Sequence, residues 1–346
     1  MKNLLCSVCF VALIAFAGVT SAQDAVVELV IDGLNNPSGV AIQPETGHIF
    51  VADSGGLRII RVIDEMKVED VITDFPKDVY GKGPFYNIGP LGLLFLDKDT
   101  LVVGGGGLSD GEEMLRVFKI PAAGEEPIKA DKTHGDPKTL AATDDAPGEG
   151  DFYAMAKGTD GIYVTCNGDD DKGWVAFAKL DKDNKLKEFS RDISTKEAIG
   201  VDAPVAITMS PQGHIVVGQM GEVNVANDSQ LTFYSEDRKK LDNFELDLQD
   251  ITSLAYSPLR KRLFCTDFNW LDTDNGGLYK IVKSSNAKGC ECKLIAALKK
   301  PTALAFNKEG DAYITLAGTT SEGTKKPDGK LVIIRKLDVE IKTEKK

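Results

Sequence analysis

The chain has 346 residues, with 41 Lys and Arg against 53 Asp and Glu for a net charge of −12, and 42% of its residues are hydrophobic. That is enough apolar material for a sizeable core, so a disordered chain is excluded, and length alone allows about two domains. The acidic balance, with no Lys/Arg run interleaved with aromatics, argues against nucleic-acid binding and against attraction to an anionic membrane surface.

Residues Met1 to Ala22 differ from the rest. Lys2 precedes an almost uncharged apolar run from Leu4 to Val19, and Thr20-Ser21-Ala22 supplies the small residues a signal peptidase requires, so 1–22 reads as a signal peptide cut before Gln23. The run is short of the ~20 residues a membrane-spanning helix needs, which disfavours a permanent anchor. The mature chain is expected to be exported, periplasmic or extracellular, with no membrane insertion after cleavage. Cys6 and Cys9 leave with the peptide. Cys166, Cys265, Cys290 and Cys292 remain, with three pairings open. Cys290 and Cys292 are too close for an ordinary bridge within one extended strand, and without CxxC or nearby histidines a metal role is weak.

From residue 23 onward one layout recurs: a proline or polar residue, a short apolar strand, a tight turn, and a β-branched second strand. It appears at Pro37–Ile42 with His48–Asp53, Pro90–Phe95 with Leu101–Val103, and Phe152–Ala156 with Gly161–Cys166. It returns at Pro204–Ile207 with His214–Val217, Ile251–Ala255 with Arg262–Asp267, and Pro301–Phe306 with Tyr313–Leu316. A third strand follows each pair, such as Arg58–Ile63 or Gly277–Val282, and in most cases a fourth, such as Val68–Ile72, Leu186–Phe189, Phe244–Leu248 and Cys292–Ala296. A four-stranded unit recurring at roughly 50 residues is the signature of a β-propeller blade, which buries its faces only against its neighbours. The sequence therefore predicts an all-β, six-bladed β-propeller with four-stranded blades, occupying 23–346 as one domain. The sixth unit has no clear fourth strand except Val339–Lys342. Val26–Ile31 stands where a fourth strand would, so the N-terminal strand is expected to close the last blade and leave no open edge. Two β-sandwiches, the rival architecture, would not repeat one unit six times.

The segments Asn36-Pro37-Ser38-Gly39-Val40-Ala41, Gly47-His48-Ile49-Phe50-Val51-Ala52-Asp53 and Ala203-Pro204-Val205-Ala206-Ile207 resemble NHL-repeat and SMP-30/gluconolactonase-like six-bladed propellers. The lactonase branch of that superfamily implies a glutamate before the first inner strand, an asparagine before a later one and an aspartate at another, together holding one divalent metal. Here Asn36 stands at the first place and Asp202-Ala203 at the later one.

The second-to-third loops are long, at Gly104–Glu113, Asn167–Lys172, Met220–Ser229, Asp267–Asn275 and Ala317–Asp328, and they carry most of the loop carboxylates on one face. Asp53, Asp110, Asp170, Trp270, Asp272 and Asp274 are candidates for a binding face there, with Trp270 and Phe268 able to stack on a sugar or anchor a peptide. The expected partner is a protein or a carbohydrate-like ligand. Asn36, Asn87, Asp151, Asp202 and Asp250 precede inner strands and form an oxygen-rich set suited to Ca²⁺ or another divalent cation. The competing reading is that such Asp and Asn residues cap turns and face water. Neither Asp169-Asp170-Asp171 nor Asp272-Thr273-Asp274-Asn275-Gly276 matches an EF-hand loop.

His48 and His214 occupy equivalent hairpin positions and His134 lies in a polar loop, so a Ser/His/Asp triad is not expected. The run Gly104–Gly107 has no helix after it to hold phosphate, and reads as a flexible loop or close blade packing. On these grounds the chain is expected to be a ligand- or protein-binding scaffold rather than an enzyme. The alternative is a metal-dependent, gluconolactonase-like hydrolase using a cation in the central channel.

Overall fold

A strand flanked on both faces by other sheets can be apolar along its whole length. Ile49–Asp53, Thr100–Gly105, Gly161–Cys166, Ile215–Gln219 and Leu263–Asp267 are buried at every position, whereas Lys240–Glu245, four strands out from the axis, is exposed at five of six. This gradient is what radial sheets produce. The computed structural model describes residues 25–64, 67–81, 83–168, 172–285, 289–318 and 326–338. The expected signal peptide, residues 1–22, and Val339–Lys342 lie outside them.

Six sheets, antiparallel except for one edge pairing in blade 1, stand in a ring, each in contact through its inner strand with the sheets before and after it. Blades 3, 4 and 5 run in simple order through four strands, beginning at Phe152, Pro204 and Ile251. Blade 6 takes its fourth strand from the other end of the chain: Glu28–Leu34 pairs antiparallel with Gly329–Ile334. The predicted propeller and its N-terminal closure are both present. Blade 2 departs from the pattern. Only Pro90–Phe95, Thr100–Gly105 and Arg116–Lys119 form its sheet, and the chain beyond them crosses to blade 1, where Ile128–Lys129 pairs in parallel with the outer strand Lys67–Thr73.

Six apolar clusters fill the spaces between consecutive blades, such as Phe50, Phe118 and Leu101 between blades 1 and 2 and Leu34, Val51 and Leu331 between blades 6 and 1. Two devices let the inner strands approach. Small residues stand where backbones meet: a Cβ on Gly39 would collide with the Leu91 carbonyl, and one on Gly104 with the Phe152 carbonyl. Gly106 and Gly107 are pressed against Leu91 and Pro76 in the same way, so this run is close packing rather than a phosphate loop. Hydroxyls then bridge the seams. Ser38 donates to the Pro90 carbonyl (3.1 Å), Thr252 to Pro301 (2.8 Å) and Thr302 to Pro37 (2.7 Å), the last closing the ring. Cys166, Cys265, Cys290 and Cys292 are not joined to one another in disulfides, the first three buried and Cys292 partly so. Among the described residues no helix is long and apolar enough to cross a membrane.

Candidate functional site

The inner strands begin at one end of the central channel, and each contributes its second residue, Ser38, Leu91, Tyr153, Val205, Thr252 and Thr302, to a single cavity of about 70 Å³. Lead-in geometry sets what else faces it. Asn36, Asp151, Ala203 and Lys300, each just before an inner strand, are left-handed with φ of 50°, 44°, 51° and 53°. Asn and Asp tolerate that conformation better than most residues. Asn36 and Asp151 line the cavity.

Its wall is aromatic. The connection between blades 1 and 2 forms a hairpin, Asp78–Tyr80 paired with Tyr86–Ile88, that places Tyr80 and Tyr86 against Phe268 and Trp270 from the loop of blade 5. Ring centroids are 5.5 Å apart for Tyr86–Trp270, 6.0 Å for Tyr86–Phe268, 6.2 Å for Tyr80–Trp270 and 4.7 Å for Phe268–Trp270. Asn167 Nδ2 donates to the Tyr80 hydroxyl at 2.7 Å, and the Tyr153 hydroxyl to the Thr302 carbonyl at 3.1 Å. The Tyr86 hydroxyl is buried, in a residue 4% exposed, and has no hydrogen-bond partner among the described residues. Burial pushes its pKa up to about 12, so it stays a donor at ordinary pH.

Behind Asp151 lies a group of carboxyls. The Asp151 backbone N–H donates to Glu113 Oε2, and Leu108 N–H to Oε1 at 3.4 Å. Gly150 and Gly168 leave room for them: a Cβ on either would run into Asp110 Oδ1, and into Glu113 or Glu149 as well. Desolvation, then the charges of Asp110 and Asp78, pushes Glu113 up to about 8. Desolvation and the charges of Glu113, Asp110, Asp78 and Glu149 hold Asp151 well above the usual carboxylate range. A carboxyl in a cleft, raised above the ordinary carboxylate range, is suited to general acid–base work.

The sequence-predicted residues separate into distinct roles. Of the five cation candidates only Asn36 and Asp151 share the cavity. Asn87 gives its backbone carbonyl to Asn36 Nδ2 (3.4 Å), and Asn36 Oδ1 accepts from Gly318 N–H (3.2 Å). Asp202 is ion-paired with Lys196 at 2.8 Å. Asp250 is 1% exposed and its Oδ2 accepts from the Trp270 backbone N–H at 2.6 Å, fastening the aromatic loop. Desolvation, with Asp267 and Asp228 nearby, pushes Asp250 up to about 7. Among the described residues no three His, Cys, Asp or Glu side chains are arranged to hold a metal ion, so this set does not fit one cation, and the chemistry below is derived from the chain's own groups.

On the expected binding face, Asp53 is buried, accepting from Asn35 N–H (2.6 Å) and pairing with Arg58 (2.8 Å). It clamps the lead-in of blade 1, as Asp267 clamps that of blade 5 through Asp250 N–H at 2.8 Å. Asp272 caps a turn through Asn275 (2.6 Å), and Asp274 pairs with Lys299 at 3.0 Å on the surface. Asp110, half-buried, belongs to the group of carboxyls behind Asp151, Trp270 lines the cavity, and Asp170 lies outside the described residues. Tyr80, Tyr86, Tyr153 and Asn167 were not singled out from sequence as site residues. The tyrosine spacing of the 80–86 hairpin was their one local signal.

No protein-family model and no curated protein sequence matches the chain. Solved structures do. A gluconolactonase from Xanthomonas campestris superposes with a TM-score of 0.55 at 12% identity, over 92% of this chain and 93% of that one. Regucalcin from Agrobacterium tumefaciens, described as a calcium-binding protein, gives 0.53 at 12% over 90% and 95%. An aldose sugar dehydrogenase from Streptomyces coelicolor, solved with PQQ bound, gives 0.58 at 14% over 91% and 99%. The fold is that of the gluconolactonase- and regucalcin-like propellers. The expectation of a non-catalytic scaffold is overturned by these neighbours, whose names are largely those of enzymes, and the hydrolase alternative is the better supported of the two. At such identities the likeness itself is one of fold.

Proposed function

We propose that this propeller hydrolyses small cyclic esters of the lactone type in the channel cavity. The observation that carries the reading is the pairing, in one cavity lined by all six inner strands, of an orphaned buried hydroxyl donor, Tyr86, with a carboxyl of raised pKa, Asp151. Tyr86 would donate to the ester carbonyl oxygen and hold the negative charge that develops there. Asp151 as carboxylate would take a proton from the attacking water. The water oxygen bonds to the carbonyl carbon, the ring C–O bond breaks, and the departing alkoxide takes that proton back, giving a hydroxy acid. The neighbours named gluconolactonase support the reaction class, and the regucalcin neighbour keeps divalent-cation dependence as something to measure.

A pH-stat assay over a panel of five- and six-membered lactones, with calcium and with chelator, tests this. Asp151→Asn should lower kcat/KM by roughly a hundredfold or more. Because Asp151 must be ionised to act and burial among other carboxyls raises its pKa, kcat/KM should level only at a pH above that of an ordinary carboxylate base. Equal activity of the variant, or no turnover of any lactone, would sink the reading.

A further inference from the structure

We propose that the channel cavity is a cage for an organic ammonium ion. On the hydrolase reading above, on which this part rests, the substrate is a cyclic ester bearing such a group. Rings from three separate segments line the cavity: Tyr80 and Tyr86 from the hairpin, Tyr153 from blade 3, and Phe268 and Trp270 from blade 5. Aromatic faces gathered this way attract cations through their quadrupoles, most strongly when the cation is poorly hydrated. One of these rings already does so within the chain, since Lys300 Nζ lies 5.4 Å from the Tyr86 centroid.

The polar groups of the cavity point to the same class. A polyhydroxylated sugar needs hydrogen-bond partners for each hydroxyl it desolvates. Here the hydroxyls of Ser38, Thr252 and Thr302 are spent on backbone carbonyls of neighbouring blades at 3.1, 2.8 and 2.7 Å, and that of Tyr153 on the Thr302 carbonyl across the channel at 3.1 Å. A methylated ammonium asks for none of them. Where Asp151 is ionised, as the hydrolase reading requires, the local charge favours it too: Asp151 faces the cavity with Asp110, Asp78 and Glu149 within electrostatic reach, against Lys300 on the ring and Arg116 beside Glu113. The same field repels an anion, so the carboxylate formed on ester opening would be driven out.

The test titrates the full chain with tetramethylammonium and choline at constant ionic strength. It follows the fluorescence of Trp270, with Trp174 as the second tryptophan, and measures heats by calorimetry. 3,3-Dimethylbutan-1-ol, the uncharged shape analogue of choline, is the comparison. Saturable binding of both cations is expected, at least about tenfold tighter than the alcohol, with a loss of about tenfold in Trp270→Leu and in Asp151→Asn. The cage is overturned if the alcohol binds as tightly as choline to the unaltered chain, or if neither cation gives a saturable signal by about 0.1 M. Cation binding without ester turnover retires the hydrolase reading and leaves the cage standing. Turnover of neutral lactones without cation binding retires the cage alone.

Discussion

A carboxyl carried into the interior of an acidic propeller stays charged only at a cost, and Glu113 shows how that cost appears. It is 2% exposed, and desolvation raises it from 4.5 to about 8. The native state therefore holds this proton where the unfolded chain has released it. Its stabilising contribution is complete below pH 4.5 and is lost as the pH rises through 8. Asp250, raised to about 7, acts in the same direction. The protein should melt at lower temperature as pH goes from 5 to 8.5, by on the order of a few kcal/mol in stability, and Glu113→Gln should flatten much of that slope. Parallel melting curves for variant and parent across this range would contradict the assignment. From sequence Glu113 was only one carboxylate among many in the loops. Asp151, whose N–H it binds, lies 38 residues away, and no periodicity reports a contact of that separation. Asp53 and Asp267 misled for the opposite reason: they end second strands and look exposed on paper, yet the strand delivers each to the lead-in of its own blade.

Strands were far more legible than sites. A blade repeats the same proline, apolar strand, turn and second strand, so six imperfect copies reinforce one another where any single copy would be ambiguous. What broke the repeat was also what built the cavity. The 78–88 hairpin belongs to no blade, and its meeting with Trp270 depends on ring geometry that exists only once blade 5 is in place. The excursion of 128–129 to blade 1 is a two-residue pairing with no pattern of its own. At the seams the packing is tight enough to test with one methyl group. Gly104→Ala puts a Cβ into the Phe152 carbonyl, and since that obstacle is backbone rather than a flexible side chain, blades 2 and 3 must part. The expected cost is about 2–4 kcal/mol, read by denaturant melts. A loss below about 0.5 kcal/mol would mean the seam yields freely.

At the level of the whole molecule, the ring holds because its two ends share one sheet. Residues Glu28–Leu34 cover the edge of Gly329–Ile334, and Leu34, Val30 and Ile31 pack into the cluster between blades 6 and 1. Deleting 25–34 should uncover that edge and lower the melting temperature by roughly 10 °C or more, with self-association visible by light scattering. A truncated chain that melts within a degree or two of the parent would show that closure is dispensable. The acidic excess also proves unevenly spent: part of it, Glu113 and Glu149 beside Asp151, is buried rather than spread over a solvated face.

The pairing of Glu28 with Ile333 has a consequence in time as well as in space. A ribosome makes the first of these residues long before the second, so the strand that comes first in the propeller is among the last to find its place. Until Gly329–Ile334 has been synthesised, blade 6 has no third strand and the opening strand has nowhere to dock. Closure is therefore a step that waits for the sixth blade, and until residue 334 has been made the growing protein remains an open arc.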